Sequence, residues 1–181
     1  MPFYMSSKGV LHAYEFDYLK GELANIRLEP TLIIGTEHKK LAPQIKSKQS
    51  EKELFAIDIM QKAVKSLTQS THLDKVRELM QQNSIRHVPI TDNKKFVGMI
   101  SDRDLLKVDL SGTFAFMEAK DIMTSIVIVT TDETPLAHIA RVLLEEKISS
   151  LPVVDKSHHL VGIITRSDIL RAVIYNRLVM K

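Results

Sequence analysis

AKDIMTSIVIVTTDETPLAHIARVLLEEKISSLPVVDKSHHLVGIITRSDILRAV, from Ala119 to Val173, decides the fold, because the chain has already spelled it once. Its counterpart is AIDIMQKAVKSLTQSTHLDKVRELMQQNSIRHVPITDNKKFVGMISDRDLLKV, from Ala56 to Val108. Asp58-Ile59-Met60 aligns with Asp121-Ile122-Met123, and Leu73 with Leu136 and Pro89 with Pro152 keep that spacing. Val97-Gly98 then aligns with Val161-Gly162 one residue further on, so the second copy carries one extra residue in a turn. Agreement this long, in one register, marks one supersecondary unit used twice.

Each copy reads β-α-β-β-α. Val127-Ile128-Val129 is a short apolar strand. Thr134-Pro135 opens a helix, with Thr134 as N-cap and Pro135 in the first turn. Leu136, Ile139, Ala140, Leu143 and Leu144 recur at helical spacing and form its buried face. In the first copy Thr71 and Asp74 approximate a capping box, and Leu73, Val76, Leu79 and Met80 form the matching stripe. Two strands follow each helix: His87–Ile90 and Phe96–Ile100, then Leu151–Val154 and Leu160–Ile164. Polar turns, Asp92–Lys95 and Asp155–His159, suit hairpins between them. Final helices begin near Asp102 and Arg166. One such unit leaves a sheet face uncovered, and two packed together bury it. The expected fold is mixed α/β (α+β): two β-α-β-β-α repeats, residues 56–110 and 119–175, packed as a pseudo-symmetric pair behind an N-terminal arm.

That arm, residues 1–55, holds Phe3, Tyr4, Tyr14, Phe16 and Tyr18, one candidate strand at Leu32-Ile33-Ile34, and a polar, Lys-rich stretch from Thr36 to Lys52. It reads as a linker or arm, partly ordered against the core or a partner, that the repeats do not need in order to fold. With 181 residues, 44% hydrophobic and 26% charged, the chain has the balance of a soluble globular protein. A net charge of +3 without a basic stripe argues against a nucleic-acid partner. The start, MPFYMSSKGV, has no secretory pattern, and the apolar run Ile126–Val129 is far too short to span a bilayer. A cytoplasmic protein without a membrane partner is expected.

Catalytic constellations do not emerge. The chain has no cysteine, hence no disulfide, thiolate metal site or cysteine nucleophile. His158-His159 sits in a polar turn without spaced ligands, so no metal is expected. Asp102 and Asp104 lie two apart on a helix and do not face each other. The chain therefore reads as a protein with no enzymatic activity of its own.

Gly98-Met-Ile-Ser-Asp-Arg-Asp104 and Gly162-Ile-Ile-Thr-Arg-Ser-Asp168, each after an Asp-Ile-Met opening and a Pro-centred strand, resemble the CBS domain family. The two repeats together resemble a CBS pair, or Bateman module, over residues 56–175. The resemblance implies a regulatory role: binding AMP, ADP, ATP, S-adenosylmethionine or a NAD-type dinucleotide in clefts between the repeats, often as a homodimer. It implies that Ser101 and Thr165 meet phosphate, that Asp104 and Asp168 meet the ribose, and that adenine lies near Val64 and Val127. His87-Val88 and Ser150-Leu151 would form walls.

The residue types suit those roles. A helix N-terminus favours phosphate through its free N–H groups, and a hydroxyl there adds a hydrogen bond. A carboxylate accepts hydrogen bonds from vicinal hydroxyls. The same pattern is also an ordinary helix start, so a ligand-free scaffold with vestigial pockets is the alternative. The clefts should differ. Arg166 follows Thr165 and adds a cation for phosphate, whereas Asp102 follows Ser101 and repels it unless Arg103 turns inward. Apolar helix faces built from Leu79, Met80, Leu143 and Leu144 are expected to hold the dimer together.

Overall fold

This computed structural model describes residues 3–7, 9–20, 53–109 and 114–179. The candidate strand at Leu32-Ile33-Ile34 and the polar stretch from Thr36 to Lys52 lie outside them. In chain order the elements are β1 (Phe3–Ser7), β2 (Val10–Ala13), α1 (Ala56–Ile59), β3 (Leu67–Thr68), α2 (Leu73–Asn83), β4 (His87–Asp92), β5 (Lys95–Ser101) and α3 (Asp102–Asp109). Then come α4 (Ala119–Ile122), β6 (Val127–Thr131), α5 (Leu136–Glu145), β7 (Ser150–Val154), β8 (Leu160–Thr165) and α6 (Arg166–Val179).

The strands form two sheets, β3-β4-β5 and β2-β1-β6-β7-β8. Within each repeat the first two strands run parallel and the last two form an antiparallel hairpin. Pro89 and Pro152 are tolerated inside β4 and β7 because ladder pairing to the neighbouring parallel strand begins one residue later, at Leu67–Ile90 and Thr130–Val153. The mixed α/β pair of β-α-β-β-α repeats expected from the pattern is the observed architecture.

Three apolar clusters hold it. One, under the second sheet, contains Ile139, Val142, Leu143, Leu151, Val153 and Ile164. Another, under the first, contains Leu73, Val76, Met80, Val88, Ile90 and Ile100. The third joins the repeats through Phe96, Met99, Val129, Val154 and Ile163, with Val64 and Val127 packed against it.

Each repeat's opening segment docks on the other repeat. Ala56 N–H donates to Thr134 O (2.8 Å) and Leu136 N–H to Leu54 O (2.7 Å). Symmetrically, Ala119 N–H donates to Thr71 O (2.8 Å) and Leu73 N–H to Met117 O (3.1 Å). Ala56 accordingly sits in the second repeat's core and Ala119 in the first's.

This exchange overturns both expected caps. The N-caps are His72 and Pro135, and neither helix has a side-chain cap bond. Backbone carbonyls of the docked segments serve the first N–H groups instead. Thr71 Oγ1 accepts from Thr68 N–H (3.2 Å), and Thr134 Oγ1 accepts from buried Thr130 Oγ1 (2.6 Å).

Residues 3–20, read from sequence as part of an arm partly ordered against the core or a partner, are built into the second repeat. β1 pairs antiparallel with β6, with Phe3 opposite Thr130 and Ser6 opposite Val127. Phe3, Phe16 and Leu19 are buried in the cluster that contains Ile139 and Leu151. Phe3 and Phe16 meet edge to face with centroids 5.6 Å apart, a preferred aromatic geometry.

Candidate functional site

The two motifs close β5 and β8 and open α3 and α6. At the second, Thr165 Oγ1 and Thr165 N–H donate to Asp168 Oδ2 at 2.6 and 2.8 Å. At the first, Ser101 Oγ and Ser101 N–H donate to Asp104 Oδ2 at 2.6 and 2.9 Å. Both are helix starts in which the third helical residue caps the N-terminus, so the motif is structural as well as chemically suited to a ligand.

Their surroundings differ. Asp168 also accepts from Gln61 Nε2 at 3.1 Å and from Arg171 Nη1 at 2.8 Å, and its side chain is 2% exposed. Asp104 has Lys107 at 3.5 Å as its remaining partner among the described residues, and its side chain is 20% exposed. Burial pushes the Asp168 carboxyl up, but hydrogen bonds from Thr165 and Gln61 and the charge of Arg171 outweigh it, leaving it below the usual carboxylate range.

Val127, Ser150 and Thr165 lie at one end of the second sheet: β6 and β7 begin there in parallel, and Thr165 closes β8 opposite Ser150. His87 and Ser101 pair at the equivalent end of the first sheet, where the chain enters from Val64. The two ends meet, because His87 Nε2 and Ser149 Oγ are 3.0 Å apart across the repeats. Burial lowers the His87 pKa, against the pull of Asp102 and Asp104 and with the help of Arg86 and Arg103. Val88 and Leu151 are fully buried and serve the two cores, with no surface left for a cleft wall.

The Arg166 guanidinium does not stand over the helix N-terminus as expected. Its Nε donates to Ile148 O (2.8 Å) and its Nη2 to Leu143 O (3.1 Å), so it satisfies carbonyls at and just beyond the end of α5. Arg103 is the more available cation: its side chain is exposed and has no hydrogen-bond or ion-pair partner among the described residues. Gln61 was not anticipated. Its position just after the Asp-Ile-Met opening became informative only when that opening proved to dock on the other repeat.

The model of the CBS domain matches residues 56–111 and 119–175. The chain belongs to the CBS domain family. The chloroplastic CBS domain-containing protein CBSX1 of Arabidopsis thaliana is 35% identical over 57% of this chain and 56% of its own, so the chain spans little more than half of that relative. CBSX2, solved in complex with AMP, has a TM-score of 0.62 and 32% identity over 68% of this chain and 98% of that one. The CBS domain pair of protein MJ0100, solved with 5′-methylthioadenosine and S-adenosyl-L-methionine, has a TM-score of 0.62 and 29% identity over 68% and 98%.

Proposed function

We infer that this CBS pair is a regulatory module that binds an adenosine-containing ligand in the clefts beside Val64 and Val127 and signals by changing shape or association. The observation that carries this reading is the pair of hydroxyl–carboxylate motifs at two helix N-termini, flanking the cross-repeat contact of His87 with Ser149. Relatives of the same architecture were solved with AMP and with S-adenosylmethionine, which supports the ligand class. AMP, ADP, ATP, S-adenosylmethionine and NAD-type dinucleotides share the ribose and adenine that this site suits.

In this reading Thr165 and Ser101 turn their hydroxyls and N–H groups toward phosphate, and Asp168 and Asp104 accept from the ribose. Arg103 supplies the phosphate cation that Arg166 does not. Val64 and Val127 face the adenine. The reading assigns the chain no reaction of its own. It places the protein in the cytoplasm, as a homodimer acting on a further protein.

A specific observation favours a second reading, a ligand-free scaffold. Both carboxylates already have protein partners as helix caps. A thermal-shift screen with AMP, ADP, ATP, S-adenosylmethionine and NADH separates the two. Ligand at a hundred times its dissociation constant stabilises by about 2.7 kcal/mol. No response to any of them selects the scaffold.

A further inference from the structure

The two repeats are near copies, yet the N-terminal hairpin β1–β2 is added to one of them. It pairs along β6 with Ser6 opposite Val127, Met5 opposite Ile128 and Tyr4 opposite Val129. Cross-strand partners share a face of a sheet, so Ser6 and Tyr4 lie on the face of Val127 and Val129, where the repeats meet. Tyr4 and Leu11 pack into that inter-repeat cluster. The hairpin turn reaches the other repeat: Gly9 has φ +81°, and a Cβ there would stand 3.1 Å from Val97 Cγ1 on β5. The equivalent edge of the first sheet, β3 beside Val64, has β4 as its strand neighbour among the described residues.

The fit of the hairpin is imperfect at one point. Ser6 is completely buried, and its hydroxyl has no hydrogen-bond partner among the described residues. A buried hydroxyl left unpaired disfavours the docked state. The strand therefore covers the Val127 edge with Phe3 anchored in the core and one hydroxyl left unpaired.

Building on the adenosine reading above, we propose that the hairpin plugs the cleft beside Val127. The chain then takes one adenosine ligand, in the cleft lined by Val64, Gln61 and Asp168, and the second cleft opens when β1 leaves β6. The pair so acquires two states, one-site and two-site, set by its own N-terminal strand.

Calorimetric titration of the full chain with AMP and with S-adenosylmethionine tests this. The chain has no cysteine, so a Tyr4→Cys/Val129→Cys pair forms a cross-strand lock without competing thiols. The wild type and the oxidised lock are expected to take one ligand per chain. Ser6→Asp, which puts a charge where the hydroxyl is buried, is expected to release the strand and take two, with fast amide exchange in Met5 and Ser7. Tyr4→Asp gives the same readout if Ser6→Asp fails to melt cooperatively. Two ligands per chain in the oxidised lock overturn the plug and leave the adenosine reading standing. One ligand in a variant whose β1 amides exchange freely overturns it as well. No heat from either compound in any variant removes the adenosine reading, and the plug with it.

Discussion

Met60 lies across Gly162: a Cβ added at Gly162 would stand 2.5 Å from Met60 Sδ, 3.0 Å from its Cγ and 3.3 Å from its Cβ. Met123 lies across Gly98 in the same way, with Sδ at 2.9 Å and the Thr124 carbonyl oxygen at 3.0 Å. Each methionine belongs to the opening segment of one repeat and each glycine to the motif strand of the other. The motif glycines are thus explained by chain exchange between repeats, before any ligand is considered.

Gly162→Ala is expected to destabilise the chain by about 1–3 kcal/mol, the usual range for overpacking. Met60→Ala in the same chain should recover part of that loss, because it removes the side chain that the new methyl meets. Gly98→Ala should recover less with Met123→Ala, since the Thr124 carbonyl stays in place. A double-mutant cycle by urea denaturation checks both. Strict additivity at Gly162 and Met60 would refute the contact.

Asp168 should matter to stability more than Asp104, because it is more deeply buried and has two further close partners, Gln61 and Arg171. Asp168→Asn is expected to cost about 1–3 kcal/mol at neutral pH and Asp104→Asn less. The Asp168 carboxyl is held below its unfolded value. Its contribution is therefore present above the unfolded pKa of about 3.9 and is lost as pH falls through the folded pKa. The gap between wild type and Asp168→Asn should close on acidification from about pH 5 downward. A gap that stays constant in acid would show that the ionised form is not the one stabilised.

His87 gives a slope in a different window. Its pKa is lowered by burial, so the folded chain holds it neutral more strongly than the unfolded chain does. That contribution is complete above the unfolded pKa of about 6.5 and declines as pH falls from there to the folded pKa. His87→Gln, which keeps a polar group for Ser149 Oγ, should flatten the melting temperature below about pH 6.5. Melting curves of both proteins across that range decide it, and parallel curves would count against His87 as the source.

The repeat architecture was legible because strand and helix stripes recur in register, and two copies of a weak motif make a strong one. What escaped came from partners distant in sequence. Thr134 looks like an N-cap until Leu54 supplies the carbonyl to the first helical N–H group. Arg166 looks like a phosphate ligand until Leu143 and Ile148 offer their carbonyls. β1 reads FYMSS, with no clean alternation, and its pairing depends on β6 rather than on its own pattern. Asp104 and Asp168 were found as candidate ligands because their spacing from Ser101 and Thr165 is local. Gln61 was not, because its approach to Asp168 depends on the exchange between repeats.

A chain beginning at Glu53 would lose β1 and with it Phe3, Phe16 and Leu19 from the core around Ile139 and Leu151. Burial of one large apolar side chain contributes about 1.5–3 kcal/mol. The truncated chain should melt well below the full one, and its exposed β6 edge should promote aggregation. Cooperative melting at the full chain's temperature would restore the dispensable arm that the sequence suggested.

The expected dimer contact needs relocating. Met80 and Leu143 are buried in the repeat cores and leave no surface for an interface, whereas Leu79 is partly buried against the first core. Leu144 remains 71% exposed, and α6 adds Leu170 at 64%, Val173 at 49% and Ile174 at 55%. Leu170, Val173 and Ile174 are spaced by three and four residues and therefore share one face of α6. An apolar helix face left in water favours association, and a stable contact buries about 1,200–2,000 Å² in total. Val173→Asp/Ile174→Asp should therefore convert a dimer into a monomer without lowering the thermal stability of the pair, since neither residue is in a core. Sedimentation equilibrium at micromolar concentration, with and without AMP, is the measurement. A monomeric wild type under both conditions would remove the dimer, and a variant that stays dimeric would move the contact away from α6.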